Sequence, residues 1–165
     1  MRIKLEPAYE YRKEIKELFT EYTQMLVKGD PAFQQYLDQQ NYDEEVQNLK
    51  MKYDYPAGRL YIALAEDETG QTAAAGCVGM KPFDEGRCEL KRLYVRPEYR
   101  GMNLGEMLVS KILEDARDAG YKTILLDTLP FLEGAKHLYD RMGFEVCEKY
   151  NDSPMDTSIF MKLDL

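Results

Sequence analysis

Apolar residues follow this chain in two rhythms, and the switches between them outline its architecture. Ile15, Leu18, Phe19, Tyr22, Met25 and Leu26 recur at intervals of three and four, which lays one apolar stripe along a helix. The stripe predicts an amphipathic helix ending near Gly29. Before it, MRIKLE alternates weakly and predicts a first strand. Asp30-Pro31 restarts the chain. Phe33, Tyr36 and Leu37, then Val46, Leu49 and Tyr53, predict one or two further helical pieces before the turn Pro56-Ala57-Gly58.

The rhythm then shortens. RLYIALAED and TAAAGCVGMKPF, joined by ETGQ, read as a β-hairpin, and after the DEG turn RCELKRLYV adds a third strand. Beyond Val95 the helical spacing returns in Leu104, Met107, Leu108, Ile112, Ala116 and Ala119, closed by Gly120 as a C-cap. YKTILLDT reads as a buried strand. Ala135, Leu138, Tyr139 and Met142 define a second helix closed by Gly143, and FEVCEKY and TSIFMKLDL read as final strands. The strand–helix–strand unit from Arg87 to Thr128 needs a crossover, so its two strands should be parallel. Antiparallel strands followed by β-α-β-α-β predict an α/β (α+β) fold with a mixed sheet. No repeat or linker interrupts residues 1–165, so a single domain is expected.

Composition removes several classes of function. With 44% hydrophobic and 32% charged residues over 165 positions, the chain is globular and long enough to bury ~70% of its unfolded surface. No apolar run approaches the ~18 residues of a membrane span, and MRIKLEPAYEYRKEIK lacks the apolar segment of a signal peptide, so a cytoplasmic protein without a membrane partner is expected. Thirty acidic residues against 22 basic leave a net charge of −8, which argues against nucleic acid and is compatible with a cationic substrate. Cys77, Cys88 and Cys147 have no CxxC spacing, and His137 is the sole histidine. No metal site is expected, and the cysteines read as small buried residues of a reduced protein.

The candidate chemistry sits at VRPEYRGMNLGEML, where a strand gives way to a loop holding Arg100, Gly101, Asn103 and Gly105, and then to a helix. A helix N-terminus offers unpaired N–H groups and positive potential, which suits a phosphate. The stretch is neither a P-loop nor a dinucleotide fingerprint. On spacing alone, an ordinary strand-to-helix turn with a solvated Arg100 accounts for it better.

Taken as a whole, YVRPEYRGMNLGEMLVSKILEDARDAGY resembles the acetyl-CoA-binding motif of the GNAT N-acetyltransferase superfamily, Gln/Arg-x-x-Gly-x-Gly/Ala. Arg100 fills the first position and Gly105 the last. Asn103 stands where the family has glycine, and asparagine tolerates left-handed backbone better than most residues. AKHLYDRMGFEV is similar to the family's later helix–strand motif, and CELKRLYV extends the likeness backwards. The resemblance implies a mixed, mostly antiparallel central sheet flanked by helices, with acetyl-CoA as co-substrate. Its pyrophosphate would rest on Gly101, Met102, Asn103, Leu104, Gly105 and Glu106 beside Arg100, and its pantetheine arm along Leu93, Tyr94 and Val95. The implied activity is N-acetyl transfer to a primary amine by direct attack. A non-catalytic acetyl-CoA-binding sensor or interaction module is the alternative that Asn103 keeps open.

An amine with a pKa of ~10.4 is mostly charged at neutral pH, so a general base is useful. The departing thiolate needs a proton and the tetrahedral oxyanion needs donors. Tyr139, in the LY of the later motif, is the implied acid, or a core tyrosine with its hydroxyl at a pocket edge. Glu89 is the implied base, or a strand glutamate paired with Lys91 or Arg92. His137 lies two residues before Tyr139, ~200° around the helix, and should face solvent or neighbouring structure. Asp127 and Thr128 border the site or cap the next helix. Tyr22, Phe33, Tyr36 and Tyr53 line an amine pocket or belong to the core. The acceptor amine is placed on a small molecule ahead of a protein, and the family's habit of dimerising makes a homodimer an option.

Overall fold

The strands form where alternation and apolar runs place them, because each lies in a sheet covered on both faces. In the computed structural model, which describes all 165 residues, β1 (Arg2–Pro7), β2 (Arg59–Glu66), β3 (Thr72–Pro82) and β4 (Arg87–Val95) make an antiparallel meander. β4 then pairs in parallel with β5 (Thr123–Thr128). β5 pairs antiparallel with β7 (Ile159–Asp164), and the two-residue β6 (Glu145–Val146) closes the edge beyond it. The order is β1-β2-β3-β4-β5-β7-β6, with one parallel pair in seven strands. The sheet is mixed, as the pattern predicts, and mostly antiparallel, as the family resemblance implies.

Each face has its own core. Leu104, Leu108 and Ile112 of α5 (Leu104–Asp118) pack on Val78, Met80, Leu90 and Ile124, joined by Leu138 and Tyr139 of α6 (Glu133–Arg141). On the opposite face Ile15, Leu18 and Phe19 of α1 (Arg12–Gly29) pack on Ile62, Leu64, Cys77 and Tyr94. Burial on both faces explains why β2 and β3 read as nearly continuous apolar runs. α1 stops where Gly29 meets Asp30-Pro31, and the Asp30 N–H bonds back to the Leu26 carbonyl at 2.9 Å.

Some expectations change. The stretch predicted as one or two helical pieces is three short helices, α2 (Phe33–Gln39), α3 (Tyr42–Gln47) and α4 (Lys50–Tyr53). FEVCEKY contributes only Glu145–Val146 to the sheet, because the chain leaves the edge to carry Tyr150 and Asn151 back toward β4 and β5. Cys77 and Cys88 are buried, but Cys147, beside this edge, is partly exposed. Tyr53 is a core residue whose hydroxyl donates to Glu45 Oε2 at 2.9 Å.

Two departures from regular pairing shape the interior. Gly79 pairs with Lys91 and Cys77 with Tyr94, so Arg92 and Leu93 together oppose the single Val78: a β-bulge. Arg92 takes a left-handed φ of 59° there. The extra residue sends both Lys91 and Arg92 toward α2 and α3, where they meet Gln40 and Glu45, and returns Leu93 to the α5 side. The second departure is between β4 and β5. Their ladder runs from Arg87–Thr123 to Glu89–Leu125 and stops, although both strands continue.

Candidate active site

Where β4 and β5 part, a cleft of about 510 Å³ opens. Its walls are Leu93, Tyr94 and Val95 on one side, Asp127, Thr128 and the α6 residues Leu138 and Tyr139 on the other, and the loop leading into α5 at the mouth. Nine of the ten residues predicted to hold the co-substrate line it: Leu93, Tyr94, Val95, Arg100, Gly101, Asn103, Leu104, Gly105 and Glu106. Met102 does not. Its apolar side chain packs against the core under α5 instead.

The loop is built to present N–H groups. After the 3₁₀ turn Pro97–Tyr99, Gly101 and Asn103 both adopt left-handed backbone, with φ of 84° and 61°. Asn103 thus keeps the conformation a glycine would take, and its carbonyl accepts from Met107 N–H at 3.0 Å to start the helix. The N–H groups from Gly101 to Glu106 have no acceptor within the chain, and no side chain caps the helix. They are free, at the positive end of a fifteen-residue helix. A Cβ at Gly105 would come within 3.1 Å of Leu138 Cδ2, so glycine there lets the first turn of α5 sit close to α6. Arg100 is exposed and makes no ion pair in the chain.

Behind the cleft lies a chamber of about 30 Å³, room for a couple of waters. Tyr22, Phe33 and Tyr36 line it, as the sequence allows, together with Lys91, Arg92 and Gln40. Tyr22, Leu93, Asp127, Thr128, Leu132 and Tyr139 border both spaces. Asp127 Oδ2 accepts from the Tyr36 hydroxyl and from Asn151 Nδ2, the latter at 3.1 Å, while Oδ1 has no protein partner. Thr128 Oγ1 is the sole buried side-chain polar atom in the chain without a hydrogen bond. The Tyr139 hydroxyl also has no partner. Burial, helped by neighbouring Tyr22 and Asp127, pushes its pKa well above the usual tyrosine value, so it is a neutral phenol.

Glu89 stands elsewhere. It lines neither space. Its carboxylate accepts from Tyr150 at 2.6 Å and is approached by Lys81 at 3.4 Å and Lys91 at 3.9 Å. Burial alone would raise its pKa, but Lys91, the Tyr150 bond and Lys81 outweigh that and lower it. The lysine expected beside Glu89 is there, whereas Arg92 pairs with Glu45. His137 is exposed, as its helical position implies. Sequence reasoning passes over Lys91 and Arg92 as site residues, because the bulge that turns both inward has no pattern in the chain. It also passes over Gln40 and Asn151, which arrive from distant segments. No group of three His, Cys, Asp or Glu residues is placed to hold a metal.

Residues 13–144 match the Acetyltransferase (GNAT) family. An uncharacterized N-acetyltransferase of Schizosaccharomyces pombe is 42% identical over 127 residues, 76% of each chain. Another, from Dictyostelium discoideum, is 28% identical over an alignment spanning the whole of both chains. Among solved structures, a GNAT family acetyltransferase from Staphylococcus aureus superposes with a TM-score of 0.74 at 17% identity over 99% of both chains. PaiA N-acetyltransferase from Thermoplasma acidophilum, solved in complex with coenzyme A, gives 0.72 at 16% identity over 100% of both. The match runs from α1 through the end of α6 and includes a relative sharing two residues in five, so this chain belongs to the GNAT family and is an N-acetyltransferase.

Proposed function

We propose that the protein transfers acetyl from acetyl-CoA directly to a primary amine of a small molecule, the two substrates entering from opposite sides of the wall made by Thr128 and Tyr139. The observation that carries this reading is the unpaired Thr128 Oγ1, a buried hydroxyl on a residue that borders both the cleft and the chamber. A buried hydroxyl without a partner costs about 1–3 kcal/mol, which a ligand carbonyl would recover. The structurally similar PaiA was solved with coenzyme A, which supports the choice of donor.

In this reading the N–H groups from Gly101 to Glu106, with Arg100, hold the pyrophosphate, and β4 beyond the bulge runs beside the pantetheine arm. In the transfer, an N–C bond forms as the C–S bond breaks. The proton leaving the amine goes through water to Asp127 Oδ1, and the thiolate takes one from the Tyr139 phenol. Thr128 Oγ1 donates to the carbonyl oxygen as negative charge grows on it. Asp127 takes the role of base in place of Glu89, because it borders both spaces with one oxygen free, whereas Glu89 is enclosed by two lysines and Tyr150. The same proposal sets the reaction in the cytoplasm; no helix is long and apolar enough to cross a membrane.

The test is thiol release from acetyl-CoA with a panel of small amines, for wild type and Tyr139→Phe. Amine-dependent release that collapses in the variant supports the proposal. Tight acetyl-CoA binding with no release from any amine would favour a binding module.

A further inference from the structure

The polar groups facing the chamber do not balance one another. Lys91 and Arg92 face it against Asp127, two cations to one carboxylate, and Asp127 ion-pairs with neither. Glu45 is taken up by Arg92 and Lys52 at 2.7 to 2.9 Å. Glu89 lies closer to Lys81 than to Lys91. Lys91 therefore has only a carboxylate at 3.9 Å that it shares with Lys81 at 3.4 Å. It is 6% exposed, and of its three donors one is filled, by Gln40 Oε1 at 2.7 Å. A buried ammonium with unfilled donors is costly unless an anion completes it. In the same chamber the free Asp127 Oδ1 asks for a cation or donor, and Thr128 Oγ1 for either.

From this arrangement we infer that the acceptor is a small amino acid: its carboxylate is held by Lys91, with its amine directed at Asp127 and the wall shared with the cleft. The inference rests on the acetyltransferase reading of the site and names its substrate class. A zwitterion serves both groups at once, an unshared hydrogen-bonding anion for Lys91 and a donor for Asp127, and leaves the chamber with no net change in charge. A polyamine would bring further positive charge against Lys91 and Arg92. The chamber's 30 Å³, walled by Phe33, Tyr36 and Leu132, sets the size. That space holds only a couple of waters, so the amino acid displaces them and reaches into the cleft, and the smallest side chains ask least of the aromatic walls.

The experiment compares L-alanine with L-alaninamide, β-alanine and putrescine. An α-amine beside an amide has a pKa of ~8, lower than that of the free amino acid, so intrinsic reactivity favours the amide. Recognition of the carboxylate must reverse that order. We expect kcat/KM for L-alanine to exceed that for L-alaninamide at least tenfold, with putrescine slower still. Lys91→Met should erase this ratio and Lys91→Arg should keep it, a pattern that a general loss of packing at Lys91 would not produce. A preference for β-alanine would place the amine one carbon farther from the carboxylate and leave the class intact. Equal rates for the acid and the amide, or faster amide, would overturn the inference even if acetyl transfer itself is robust.

Binding separates this from a failure of the catalytic reading, and it needs no turnover. With the protein saturated by CoA, L-alanine should raise the melting temperature where the same concentration of L-alaninamide does not. That difference without acetylated product would count against the transfer mechanism and for the inference. No difference would sink the inference whatever the catalysis shows, and it is read on the wild type, so it stands even if Lys91→Met fails to fold.

Discussion

Arg92 holds Glu45 through two hydrogen bonds, Nε to Oε2 at 2.8 Å and Nη2 to Oε1 at 2.9 Å, with both side chains almost fully buried. The pair ties the bulge of β4 to α3, so a helix of the N-terminal third fixes the backbone that lines the cleft. Lys52 and the Tyr53 hydroxyl complete the carboxylate's shell at 2.7 and 2.9 Å. A left-handed arginine in a strand is strained backbone, held here by its side chain.

Replacing Glu45 with glutamine would leave Arg92 charged and unpaired in the core, a change that costs about 3–5 kcal/mol. The same carboxylate brings acid sensitivity. Burial raises its pKa, but Arg92 and Lys52 outweigh that and bring it down from 4.5 to about 2. A depressed acid stabilises the fold fully above its unfolded pKa, and this contribution drains away as pH falls from about 4.5 toward 2. By linkage it amounts to about 3 kcal/mol. Chemical denaturation of wild type and Glu45→Gln should therefore differ widely at pH 7 and converge near pH 2.

Tyr139→Phe removes a hydroxyl that has no partner in the chain, so folding should change by less than about 1 kcal/mol. Turnover should fall by about 10²–10⁴, the usual worth of a positioned proton donor, with KM for acetyl-CoA unchanged. Steady-state kinetics beside a melting curve checks both halves. A loss of stability equal to the loss of rate would make the residue merely structural.

The two carboxylates are separated by paired substitutions. Asp127→Asn should lower kcat by about 10²-fold or more, as loss of a general base does. Glu89→Gln should act on stability, since it leaves Lys81 and Lys91 without a counter-charge, and should lower kcat much less. The reverse ranking in kcat would return the base to Glu89.

Asn103→Gly tests the loop. Asparagine already sits at φ 61°, so glycine relieves a small backbone cost and leaves the N–H groups where they are. Acetyl-CoA affinity, read by calorimetry, should stay within about threefold. Arg100→Ala should instead weaken binding about tenfold at low ionic strength and less as salt rises, because an exposed cation acts through a screened charge.

How far the chain reveals this site depends on which force placed each residue. α5 and α6 are legible because burying one face of a helix imposes a period, and β5 because a strand covered on both faces must be apolar throughout. The loop is legible for a similar reason: left-handed backbone at residues 101 and 103 restricts what can stand there. Lys91 and Arg92 are not legible. They look like ordinary strand charges, and one extra residue opposite Val78 turns them inward. Glu89 misleads for the complementary reason. Its place on β4 suggests chemistry, but Tyr150 crosses from a segment that reads as strand and encloses it. Asp127 and Thr128 fall between these cases, since their position at the end of β5 is plain and their partners are not.

The parting of β4 and β5 leaves the protein with an edge in its middle. Past Glu89 and Leu125 neither strand has the other to bond with, and a peptide-like ligand arm laid between them would act as an eighth, removable strand. Bare strand edges are sticky and prone to solvent attack. On the proposed reading, occupancy should govern durability as well as catalysis. Amide exchange at Leu93 and Val95 should slow when CoA binds and quicken when it leaves. A cell short of the donor would hold this enzyme in its most perishable form.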